Sequence, residues 1–193
     1  MKMQLIQKEL LAIISLFLFI ACKSIPREEI ITNEAYEIIN VLLENYKDPK
    51  RPFVIIEEKS FFNLNDFNEQ INSQKASRDK GYNPEKCAMS HIESGIKLSV
   101  ILPDSVVIWD KSRITYNGVD YISRKSLGKN LTMKEASDLM SKQLFSFSNP
   151  IFSKRMENAS ILLDISGKGK ILHFLSKKED GWGIDCKYYI AYY

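Results

Sequence analysis

The chain has 193 residues, of which 45% are hydrophobic and 26% charged, a balance that excludes disordered and fibrous classes. Its net charge is only +3, and a dedicated nucleic-acid binder needs a clustered basic face. The length supports one domain with a sizeable core.

The first element is an N-terminal leader. Lys2 and Lys8 precede an apolar run from Leu10 to Ile20, followed by Ala21 and Cys22. A run of about a dozen apolar residues is too short for a bilayer core, which takes about 20 in a helix, but suits the apolar stretch of a secretory signal. Phe19-Ile20-Ala21-Cys22 resembles the lipobox of bacterial lipoproteins. The resemblance implies cleavage before Cys22, diacylation of its thiol and acylation of the new amine. Two or more acyl chains anchor stably where one does not, so the membrane is an expected partner through the N-terminal lipid. Lys23, rather than aspartate, follows the cysteine, which by the family's sorting habit implies the outer membrane. The expected organisation is a leader over 1–21, a lipidated tether over 22–26 and one α+β domain over 27–193.

Pro26 and the first-turn acids Glu28 and Glu29 open a helix. Ile31, Ala35, Ile38, Ile39, Leu42, Leu43 and Tyr46 recur at spacings of three and four on one stripe, and Asp48-Pro49 ends it. This amphipathic helix should pack on an antiparallel sheet. Phe53 to Ile56 reads as a strand, 65–78 as a modest helix, and 99–102 and 105–109 as strands around Pro103-Asp104. Asn117-Gly118 predicts a hairpin between 114–116 and 119–122. Thr132-Met133-Lys134-Glu135 is a capping box, predicting a second helix near 133–145, packed on the sheet.

The C-terminal third alternates with period two over 159–166, 170–176 and 182–192. Loops at 167–169 and 180–181 predict a three-stranded antiparallel meander. Its core face would carry Ile161, Leu163, Ile165, Ile171, Leu175, Ile184, Cys186, Tyr188 and Ile190, with Leu175 opposite Cys186. The reverse face mixes Leu162, Leu172, Phe174 and Tyr189 with Asp164, Asp185 and Lys187. Either a helix covers it or it is a contact surface. Asn149-Pro150-Ile151-Phe152-Ser153, with the meander and Gly181-Trp182, is similar to uncharacterised small lipoproteins of Gram-negative envelopes, a likeness that brings no known activity.

Candidates for chemistry are few. His91 and His173 are the two histidines, so a site of three histidines is excluded. No cofactor or metal is expected, although Cys87, His91, His173 and Cys186 are weighed as a zinc set. Cys87 and Cys186 either form a disulfide or remain buried thiols. Cys87 and His91 share the i,i+4 spacing that a thiol–imidazole pair on a helix would use. His173 reads as a hydrogen-bonded imidazole at the edge of the core beside Tyr188. Phe174, Tyr189 and Tyr193 are the candidate binding patch, since exposed aromatic rings serve glycan and protein contacts. The expected function is a lipid-anchored envelope protein acting as a non-catalytic binding or accessory module. It would take a protein or glycan partner and no nucleic acid; the alternative is an envelope hydrolase or thiol enzyme using Cys87 and His91.

Overall fold

The computed structural model describes residues 26–46, 48, 50–60, 69, 73, 98–101, 108–116, 118–128 and 130–191. Helix α1 (Arg27–Tyr46) lies at the start, where the carbonyl of Pro26 accepts from the amides of Glu29 (2.9 Å) and Ile30 (3.2 Å). Eight described strands follow: β1 (Phe53–Ile56), β2 (Leu98–Ile101), β3 (Asp120–Ile122), β4 (Gln143–Phe147), β5 (Ile151–Ser153), β6 (Asn158–Ile165), β7 (Gly169–Lys178) and β8 (Gly181–Ala191). Two helices, α2 (Arg124–Leu127) and α3 (Met133–Ser141), connect β3 to β4. The fold class is α+β, with one sheet and a C-terminal antiparallel meander. No helix among the described residues is long and apolar enough to cross a membrane.

The sheet is mixed where the sequence reading expects antiparallel pairing. β1 runs parallel to both β3 and β4, with Val54 opposite Asp120 on one side and Leu144 on the other. β4 and β5 pair antiparallel with the same strand, β6: Phe147 lies opposite Leu163, and Ile151 opposite Ser160. Pro150, between them, has no amide to give a ladder, which suits this break.

One face of the sheet carries the main core. The α1 stripe of Ile31, Ala35, Ile38, Ile39, Leu42 and Leu43 meets Phe53, Ile55, Phe145, Phe147, Ile161, Leu163, Ile165, Ile171 and Leu175. Burial of each such aliphatic or aromatic side chain is worth about 1.5–3 kcal/mol, so this interface dominates the fold. Glu34 also sits on the buried face of α1. Its Oε2 accepts from the Trp182 indole nitrogen at 2.6 Å, and its Oε1 pairs with the Lys177 ammonium.

The meander differs from expectation in detail. Each loop lies one residue earlier, at 166–168 and 179–180, so pairs move by two residues: Ile165 faces Gly169 and Leu175 faces Ile184. A shift of two preserves the faces. Past Ile184, however, a bulge at Asp185 reverses the parity of β8. Cys186 and Tyr188 then stand opposite Phe174 and Leu172, whereas Lys187 and Tyr189 stand opposite His173 and Ile171. Cys186 and Tyr188 are therefore not on the α1 face, and Tyr189 packs against the main core.

Two further expectations are corrected. The 114–116 arm of the hairpin is not a strand: the Asn40 side chain on α1 accepts from the Thr115 amide (3.0 Å) and donates to the Arg113 carbonyl (3.4 Å). Fastened to the helix in this way, the segment buries Ile114 and sets the Tyr116 ring 4.9 Å from that of Phe53. The second helix ends at Ser141 instead of reaching 145, and it buries no residue. Phe145 and Phe147 are fully buried in β4, between β1 and β6, where a helical continuation would forfeit both ladders. The strand expected at 99–102 is β2, and the 65–78 helix lies outside the described residues apart from Glu69 and Ser73, both helical.

Candidate functional site

β3 ends the described strand order on one side of the sheet. From it the chain turns through α2, where Ser123 Oγ accepts from the Ser126 amide at 3.2 Å, and enters α3 at the capping box. Thr132 Oγ1 accepts from the Glu135 amide (3.3 Å), and Glu135 Oε2 accepts from the Thr132 amide (2.8 Å). The hydroxyl of Thr132, and then its amide, hold the Glu135 carboxyl below the usual carboxylate range. At the other end, Arg51 donates from Nη2 to the Met140 carbonyl (3.2 Å) and from Nε to that of Ser141 (3.4 Å). A cation there complements the helix dipole.

Helix α3 is thus held at its two ends and rests lightly on the sheet. Ala136 and Leu139 are partly buried, while Met133 and Met140 are 90% and 79% exposed. Lys142 Nζ lies 3.1 Å from Asp138 on the helix and 3.5 Å from Asp120 on β3, tying the helix to the edge strand. Asp138 first, and Asp120 to a lesser degree, raise the Lys142 pKa.

Between helix and strand runs a groove of about 390 Å³. Val54, Ile122, Leu131 and Leu139 give it apolar walls, and Asp120, Glu135, Asp138 and Lys142 a charged rim. A smaller depression of about 270 Å³ lies beside the same helix, lined by Arg51, Met140, Leu144 and Ser166 among others. An apolar trough with a few convergent polar groups is the general form of a binding site, and the larger volume falls within the usual range.

No family model, curated protein or solved structure matches this chain.

The residues singled out in the sequence lie elsewhere. Phe174 is 3% exposed on the face opposite Tyr189, so the two share no accessible patch. Tyr193 lies outside the described residues, as do Cys22, Cys87 and His91; the disulfide and the thiol–imidazole pair lie there with them. Cys186 is buried on β8. Among the described residues no three His, Cys, Asp or Glu side chains gather for a metal. His173 is fully buried, opposite Lys187 and not Tyr188, and its Nε2 lies 2.7 Å from the Tyr46 hydroxyl.

Asp138 and Lys142 were not singled out in the sequence, although their i,i+4 spacing is the signal that marks such a pair. Asp120 carries no such signal, because its place beside α3 depends on the parallel β3–β1–β4 order.

Proposed function

We propose that this chain is a lipid-anchored cell-envelope protein whose folded domain is a non-catalytic binding module. The α3 groove receives a short extended segment of a protein partner. The observation that carries the reading is the position of the groove along β3, the last described strand on that side of the sheet. An edge strand offers unpaired backbone donors and acceptors to an added strand, and a flanking trough takes alternate side chains. Three carboxylates against one ammonium on the rim favour a segment that alternates apolar and basic residues. The anchor rests on the lipobox resemblance at Cys22, and outer-membrane placement on Lys23.

The test is site-specific photo-crosslinking in the intact envelope. A photoreactive residue at Leu131, on the groove wall, is compared with one at Lys154, exposed beyond β5. A peptide adduct specific to position 131, lost when Asp120 and Asp138 are both changed to lysine, supports the reading. Equal adducts at the two positions, or a glycan at position 131, would overturn it.

A further inference from the structure

Beyond β1 the chain runs between two neighbours. Glu58 bridges to Ile108 on one side and Ser60 to Ser148 on the other, and the Trp109 amide donates to the Glu57 carbonyl at 2.9 Å. This placement lays Lys59 over Trp109, with its ammonium 4.2 Å from the ring centroid. Trp109 is 2% exposed and stands edge-on to Tyr36 of α1, ring centroids 5.6 Å apart.

Two buried donors meet here without an acceptor. Neither Lys59 Nζ nor Trp109 Nε1 has a hydrogen-bond partner, although both atoms are removed from solvent. Leaving a buried donor without a partner is costly, and more so for a charged one. The nearby acids are engaged elsewhere. Glu57 pairs with Lys111 at 2.6 Å, Glu58 accepts from the Arg124 amide at 2.5 Å, and Asp110 accepts from the Ser112 amide and hydroxyl. The ring face offsets part of the ammonium's desolvation, yet burial still lowers the Lys59 pKa to about 8, so it remains charged at neutral pH.

We propose that Lys59 Nζ and Trp109 Nε1 form a binding site for a carboxylate. The donor set selects this class. One ammonium and one indole N–H supply a donor to each of two carboxylate oxygens, and the apolar surroundings of Trp109 suit a weakly hydrated carboxylate better than a strongly hydrated inorganic anion. The carboxylate comes from a free organic acid or from a peptide C-terminus. The site is independent of the α3 groove.

The two tryptophans make the test internally controlled, because the Trp182 indole is already bonded to Glu34. In ¹H–¹⁵N spectra of the full chain, sodium benzoate and a short peptide with a free C-terminus are titrated at constant ionic strength. The same peptide as its amide and sodium chloride serve as controls. The proposal expects a saturable shift of the Trp109 indole signal with at least one carboxylate and none with the amide or chloride, the Trp182 signal staying in place. Benzoate alone identifies a free acid, and the peptide alone a C-terminus. Lys59→Met should weaken the response by about tenfold or more. Should that variant not fold, the Lys59 side-chain ¹⁵N resonance of the unaltered chain replaces it, and it should shift with the same carboxylate and not with chloride. A Trp109 signal indifferent to both carboxylates, or equally responsive to chloride, refutes the site, as does a Lys59 side-chain signal that stays in place.

Discussion

The Tyr46 hydroxyl and His173 Nε2, 2.7 Å apart, join the last turn of α1 to the middle of β7. The imidazole is fully buried and faces Lys187 across the ladder. Burial first, and the Lys187 charge second, lower its pKa to about 3 from the ordinary 6.5. Between those values the unfolded chain takes up a proton that the native chain refuses. Stability therefore rises with pH through this window and is lost as pH falls, by up to about 1.4 kcal/mol per pH unit. His173→Leu should lower stability at neutral pH, since Tyr46 loses this bond, but flatten the acid dependence between about pH 6.5 and 3. Urea midpoints across that range check it; a slope equal to that of the unaltered chain would contradict the assignment.

The contact of Glu34 with Trp182 and Lys177 places a carboxylate in the core boundary. Removing it leaves an indole N–H buried without an acceptor. Glu34→Ala should cost about 2–4 kcal/mol. With Trp182→Phe in a double-mutant cycle, a coupling of roughly 0.5–3 kcal/mol is expected. Denaturant unfolding of the four proteins measures it, and additive effects would show that the bond contributes nothing specific.

Thr132→Ala removes the hydroxyl of the capping box, worth about 1 kcal/mol at a typical N-cap. Because α3 buries no residue, that loss should remain local. Amide exchange over 133–141 should accelerate about fivefold while the global unfolding midpoint stays unchanged. A fall of the whole midpoint would mean that α3 belongs to the cooperative core.

Cys22→Ala should abolish incorporation of labelled palmitate and leave either an uncleaved leader or protein released from the membrane fraction. Mass spectrometry of the N-terminus distinguishes these two products. Palmitate incorporation at the level of the unaltered chain would remove the anchor from the functional reading.

Local chemistry was legible where each signal is short in range. The α1 stripe and the Thr132–Glu135 box stand where the pattern places them, and the three C-terminal strands within one or two residues of it, because periodicity and capping act within a few residues. What failed depended on partners far along the chain. Nothing between Ile114 and Ile122 announces that Asn40 will take the backbone bonds of one arm, or that β1 will claim the other in parallel. The bulge at Asp185 escaped for a related reason: one unpaired residue inverts the faces beyond it while the written alternation continues unbroken. Phe174 and Tyr189, neighbours in the candidate patch, were parted by that single residue. The groove depends on the placement of α3 against β3, and so lay beyond the reach of local pattern.

The position of β1 has a consequence for how the chain matures. Val54 is made early, yet the strands on either side of it, at Asp120 and Leu144, come much later. The meander, by contrast, closes through short hairpins and can assemble as soon as it emerges, since nearby partners cost little loop entropy. A nascent product halted before Gln143 would hold α1 and β1 without β4 to β8, the strands that carry most of the main core, and should be a ready substrate for proteases and holding chaperones until the final third arrives.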